Sequence, residues 1–217
     1  MIKNNDSAVS PVVGVMLMLV VTIIIAAVVS GFAGGFAEGQ TKAPQATIQG
    51  EFSVTRGLSI IHAGGEAIPT ADMLITVKNG PTFGPNLEAM STSAINLATV
   101  TTSNGVAVMS YNSSTGGFRG YGISSFNPGD TLYVNITNCE PTILQKTVYS
   151  SHGDYYFDGT HWTFLDSDTG EKLTSADDSF WALDFVNQEN IGKSFYLDVN
   201  DKASGTLISR AVVTIKG

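Results

Sequence analysis

Residues 7–37 read SAVSPVVGVMLMLVVTIIIAAVVSGFAGGFA, and no charged side chain occurs between Asp6 and Glu38. Length separates three readings of this stretch. A secretory signal has an apolar core of only ~7–15 residues followed by a small-residue cleavage site. The uncharged stretch here is 31 residues, about twice that length. A membrane span needs roughly 20 apolar residues to cross ~30 Å of hydrocarbon. As a helix at ~1.5 Å per residue the stretch would measure about 45 Å. Tilt absorbs part of that excess, and packing against protein absorbs all of it. Val12 to Val29 is rich in Val, Ile, Leu and Met, which form helix readily where lipid obliges the backbone to satisfy itself. Ser10 suits the N-cap and Pro11 the first helical position, where a missing N–H costs nothing. Such a helix is apolar on every side and is therefore buried all round.

The far end of the stretch contains two G-x-x-x-G spacings, Gly31/Gly35 and Gly35/Gly39. Small residues four apart let helix backbones approach closely. Gly14, Ala26, Ala27, Gly31 and Gly35 are accordingly the candidate helix-packing positions. The same end also reads as a loosening helix that runs into a linker. Before Ala8 stands a polar leader, Met-Ile-Lys-Asn-Asn-Asp-Ser. A cut there would fall ahead of the apolar run, whereas a secretory signal is cut behind it.

The run Ala8-Val9-Ser10-Pro11-Val12-Val13-Gly14-Val15-Met16-Leu17-Met18 resembles the N-terminus of archaeal type IV pilins. Two later fragments, Ile60–Glu66 and Asn127–Leu132, resemble pieces of the β-rich heads of that family more weakly. The resemblance implies that a membrane prepilin peptidase cuts between Ser7 and Ala8. It also implies that the helix waits in the membrane before the pilus assembly machinery packs it with its copies into a filament. Two bacterial pilin features are missing: no Gly precedes the cut, and the fifth mature residue is Val12 rather than Glu. Subunit registration by a Glu–amine contact is therefore not implied. Stacking of identical subunits is a heterologous contact that does not close, which makes a fibre.

The 217 residues suffice for one medium domain plus an accessory element. The formal net charge is -8 and only 14% of residues are charged. No basic run interleaved with aromatics is present, which argues against a nucleic-acid partner. A weakly charged, acidic, Thr/Ser/Gly-rich body fits a secreted or surface β-domain better than a cytosolic enzyme. The single cysteine, Cys139, excludes an intrachain disulfide and reads as a small buried hydrophobe or as an intersubunit disulfide.

Beyond the linker at 39–45, short Val/Ile/Thr-rich runs alternate with turn residues. They predict strands at Ala46–Val54, Leu58–His62, Met73–Lys78, Ile95–Thr101, Val106–Tyr111, Thr131–Thr137, Ser194–Val199 and Ala211–Lys216. The expected fold is α+β: a leader at 1–7, a long hydrophobic helix at 8–38, and a head at 46–217 built as an Ig-like antiparallel β-sandwich. No long amphipathic helix is expected after residue 40. Residues 149–185 hold 9 of the 20 aromatics where an even spread would give about three. Tyr155–Phe164 reads as a hairpin with Asp158-Gly159 in a type I′ turn. This segment is either a hairpin over its own small core or an exposed adhesive or subunit-contact surface presenting Tyr155, Tyr156, Trp162 and Trp181.

His152, Asp154, Asp158 and His161 fall close together, but no metal-ligand spacing matches. Asp166-x-Asp168-x-Gly170 lacks the later Glu of a calcium loop. No nucleophile elbow, P-loop or dinucleotide fingerprint occurs, so no catalytic residue, cofactor or metal is expected. The sequons at Asn112 and Asn135 are glycosylation candidates. The function expected is a filament subunit whose head meets the environment in adhesion. The alternative is a monomeric ectodomain on an uncleaved anchor, binding glycan or protein through the aromatic segment.

Overall fold

The structure, a computed structural model, describes residues 11–37, 43–111 and 114–217. Two compact units are present, an N-terminal one and a head from Ala43 to Gly217. The first is built on α1 (Pro11–Ala37), which runs through Gly31, Gly34 and Gly35 without a break. The glycines that could have loosened this end therefore remain helical.

The head is mostly β, and the chain is α+β. Its strands are β1 (Ala46–Ser53), β2 (Gly57–Gly65), β3 (Ile68–Pro69), β4 (Met73–Asn79), β5 (Ser93–Ala94), β6 (Val100–Thr102) and β7 (Met109–Tyr111). They are followed by β8 (Phe118–Tyr121), β9 (Ser125–Phe126), β10 (Thr131–Asn135), β11 (Gly153–Phe157), β12 (Trp162–Asp166), β13 (Ser194–Asp201) and β14 (Leu207–Lys216). Eight of them form one sheet in the order β5-β4-β13-β14-β1-β2-β10-β6. Every pair in it is antiparallel except β1 with β14, which run parallel with Phe52 opposite Ile215. The Ig-like two-sheet detail of the sequence reading is not borne out, since the pairing is one continuous ladder. The ribbons β3–β9, β7–β8 and β11–β12 lie outside it.

Alternation decides which face is buried. In β10, Leu132 and Val134 are buried and Tyr133 and Asn135 exposed; in β14, Ala211, Val213 and Ile215 are buried and Val212 and Thr214 exposed. Phe195, Leu197 and Val199 of β13 join the same core. At its centre Phe185 stacks on Phe195 at 4.1 Å between centroids, and Phe52 meets Phe195 edge-on at 5.6 Å. Aromatic pairs of this kind contribute about 0.5–1.5 kcal/mol beyond their buried area. The β1–β2 hairpin needs glycine at position 57: φ is +96°, and a Cβ there would lie 2.2 Å from the Val134 carbonyl oxygen.

The core is closed by a largely irregular segment that contains the short helix α2 (Pro141–Leu144). It contributes Leu144, Trp162, Phe164, Trp181, Phe185 and Val186 to the core. An irregular backbone can be buried only where its polar groups find partners. Here four buried amides supply them. Asn79 Nδ2 and Gln145 Nε2 donate to the Leu183 carbonyl, at 2.7 and 3.1 Å, and Gln145 Oε1 accepts from the Phe185 N–H at 2.7 Å. Asn187 donates to the Trp181 carbonyl and Asn190 to those of Ala182 and Asp184.

Candidate functional site

Two surfaces are open to partners: the flank of α1 and the exposed faces of the head. Fifteen large apolar side chains between Val12 and Phe32 are exposed, and Pro11–Phe32 is long and apolar enough to cross a membrane. One of its two hydroxyls, that of Thr22, donates back to the Leu19 carbonyl at 2.9 Å and is satisfied within the helix. Ala27, Gly31 and Gly35 recur every fourth residue and share one helix face. A Cβ placed on Gly14 or Gly31 would meet nothing within 4 Å, so both are open notches in the helix surface. Ala26 and Ala27 are exposed beside them. Gly39 lies outside the described residues, as do Ser7, Ala8, Ser10 and Asn112.

The aromatic segment departs from the surface reading. Trp162 is 7% exposed and donates Nε1–H to the Ile136 carbonyl at 2.8 Å. Trp181 is 3% exposed and stacks on Phe164 at 5.7 Å. Both tryptophans are core residues, because they cover the irregular segment's own apolar side. Tyr155 is half-buried, and its hydroxyl donates to Asp184 Oδ2 at 3.0 Å while accepting from the Ser150 N–H at 2.8 Å. Of the four residues only Tyr156 is exposed. Tyr149 and Phe180 of the same segment also face solvent, as do Tyr111, Phe118 and Tyr121 on the β7–β8 ribbon and Tyr133 on β10. Phe118 packs edge-on against Tyr121 at 5.1 Å.

Behind Tyr155 sit two acids. Asp178 accepts from the N–H groups of Phe180 and Trp181 and from the Ser150 hydroxyl. Asp184 is fully buried, and its Oδ1 has no partner among the described residues. Burial pushes the Asp184 carboxyl well above the usual range; the Tyr155 hydrogen bond pulls against this and the negative Asp178 adds to it. Burial likewise pushes Tyr155 upward, reinforced by the charge of Asp184. On β13 the opposite holds for Asp198. Its burial would raise the carboxyl, but Arg210 at 2.7 Å and Lys78 at 2.8 Å outweigh burial and hold it low.

Turn chemistry explains the remaining acids. Asp158 Oδ1 accepts from the N–H groups of Thr160 and His161, and Gly159 alone carries a positive φ, so the turn is not type I′. Asp166 does the same for Asp168 and Thr169. Among the described residues no group of three or more His, Cys, Asp or Glu is placed to hold a metal ion. Cys139 is buried and its thiol is pushed up to about 12 by desolvation, so the intersubunit-disulfide reading is overturned. Asn135 is exposed, and its side-chain oxygen accepts from the N–H and hydroxyl of Thr137, capping a 3₁₀ turn.

The two weaker fragments meet in space. The His62 N–H donates to the Asp130 carbonyl at 3.0 Å and the Gly129 N–H to the His62 carbonyl at 2.8 Å. Against known proteins, no curated protein and no solved structure matches the chain. One family model, described as Archaeal Type IV pilin, N-terminal, matches residues 7–48, which takes in all of α1 and the start of β1. Residues 7–48 of this chain are thus similar to the N-terminal segment of archaeal type IV pilins.

Proposed function

We propose that the chain is the structural subunit of an archaeal type IV pilus-like surface filament. It polymerises through α1 and displays the β-rich head for adhesion. The observation that carries this is the family match over residues 7–48 on a helix that is apolar on every side and exposed along its length. A helix of this kind has two stable environments, a bilayer and a bundle of its own copies. Fully burying one large apolar side chain is worth about 1.5–3 kcal/mol, so the fifteen exposed ones represent on the order of 30 kcal/mol before entropy. The open notches at Gly14 and Gly31, with Ala26, Ala27 and Gly35, let helices pack closely in such a bundle. Its role is structural rather than enzymatic.

In this proposal the precursor sits in the cell membrane, a prepilin peptidase cuts between Ser7 and Ala8, and the assembly machinery lifts α1 into a homopolymer outside the cell. Asn112 and Asn135 are proposed to be glycosylated there. Mass spectrometry of the mature N-terminus, on a sheared surface fraction and on membranes, tests it. A sheared protein beginning at Ala8 is the expected result. A protein beginning at Met1 and held in membranes sinks the filament in favour of an anchored ectodomain. A start near Glu38 sinks both.

A further inference from the structure

Tyr133 is 39% exposed on the outer face of the sheet and walls two depressions at once. On one side lies a groove of about 500 Å³ bearing Ser103, Asn104 and Asp130. On the other lies a smaller one of about 210 Å³ bearing Arg56, Ser59 and Lys216. The ridge between them is rigid, since Tyr133 sits opposite Ser59 of β2 and opposite Thr101 of β6.

The chemistry of these walls selects a ligand class. Sites for apolar small molecules are concave and mostly hydrophobic, whereas these are lined in good part by hydroxyl, amide and charged side chains. Such walls suit a hydrated ligand with many hydroxyls of its own. A half-exposed tyrosine among them offers a flat apolar face to the C–H side of a sugar ring and a hydroxyl at its edge. The basic side is specific in a further way. Arg56 is exposed, and no ion pair among the described residues engages it. Lys216 meets Glu51 at 3.5 Å with both side chains more than half exposed, an arrangement that solvent leaves weak. Arg56 and Lys216 line this depression with a single carboxylate, Glu51, so on a protein of net charge -8 it keeps a local excess of positive charge that suits an incoming carboxylate. A peptide cannot add here as a strand, because β10 is already paired along both edges.

We propose that the Tyr133 ridge binds an acidic oligosaccharide. One sugar stacks on the tyrosine and hydrogen-bonds toward Asn104, and a neighbouring uronic acid places its carboxylate at Arg56 and Lys216. The site rests on the adhesive part of the reading above and not on polymerisation, so the two fail separately.

The test titrates the full chain, in a detergent without a sugar headgroup, with tetragalacturonate and with its methyl ester. The ester keeps the skeleton and removes the charge. Expected is saturable calorimetric binding of the acid, at least tenfold tighter than the ester. Tyr133→Ala should lose both ligands and Tyr133→Trp retain them, with unchanged melting midpoints. Arg56→Gln should bring the acid down to the affinity of the ester. Absence of saturable binding overturns the proposal, as does binding that survives Tyr133→Ala, or equal binding of acid and ester. Filament yield of Tyr133→Ala, expected to equal the parent, separates this outcome from failure of the filament itself.

Discussion

α1 and the head are built from the same apolar residue types, and they use them in opposite ways. Leu58 and Ile60 of β2, Ile75 and Val77 of β4, and Leu197 and Val199 of β13 point into one shared core and are closed to water. The same residues on α1 face outward around the whole circumference, with none of the span buried. The head therefore carries its own stability, while most of what stabilises α1 has to come from a partner, whether lipid or another helix. That difference teaches where mutations will register. A change in the head is felt as folding free energy in one molecule, and a change in α1 is felt as assembly.

The largest test of this division is Ile24→Asp. A charged side chain at the centre of a span costs about 2.5–3.5 kcal/mol on insertion scales, and every subunit of a filament would incur it. Filaments should vanish while the melting midpoint of the head stays within about 1 °C of the parent. Normal filament yield in electron micrographs would break the comparison outright. Next in size is Phe195→Ala, which empties the stacked centre of the core and should cost the head about 3–5 kcal/mol in denaturant titration. Membrane association through α1 should persist.

Asp198→Asn should cost about 2 kcal/mol. This is less than the roughly 3–5 of a fully buried pair, because Lys78 and Arg210 are 20% and 36% exposed. The same variant should lose an acid limb. The Asp198 carboxyl is held low in the folded head, so its contribution is complete above the ordinary value near ~4 and disappears as pH falls through the depressed one. Asp184 has the reverse sign. Its raised carboxyl favours the folded head most below ~4, and stability drops as pH climbs toward the raised value. Asp184→Asn keeps an acceptor for Tyr155 and should flatten that slope in melts from pH 4 to 9, a range set by ~4 as the ordinary value. The smallest effect belongs to Tyr156→Ser, within about 0.5 kcal/mol, because the side chain is exposed and lies outside the core. A cost like that of a core aromatic would contradict its placement.

How much of this was legible beforehand depends on range. The helix was legible from the absence of charge between Asp6 and Glu38. The strands with alternating faces, β10, β13 and β14, were legible because period-two patterning is local. Ile95–Thr101 was not a single strand. Asn96 accepts from the Ala98 N–H and turns the chain, leaving β5 and β6 as short pieces at opposite edges of the sheet. The parallel pairing of β1 with β14 joins segments too distant for any local pattern to reveal. The side of the aromatics was hidden for a similar reason. Composition counts Trp162 and Trp181, but only the fold shows that Leu144, Phe164 and Phe185 lie beneath the same segment. The solvent-facing Phe118 and Tyr121 sit in a Gly-rich stretch with no alternating pattern around them, and no signal in composition singled them out. Tyr133 was visible as the outward member of an alternating strand, yet its two flanking depressions draw on β1, β2, β6 and β14.

That central placement of β1 also has a mechanical meaning. It is the first strand after α1 in the chain, so in the proposed filament a pull arriving from α1 would enter the head through Ala46. β1 is gripped on both sides, by β2 over its whole length and by β14 at its far end, where the Val54 N–H donates to the Lys216 carbonyl at 3.0 Å. A pull along the strand loads these rungs together in shear instead of peeling them one by one from an edge. The strand farthest from β1 along the sequence, β14, thus helps to clamp the one that takes the strain.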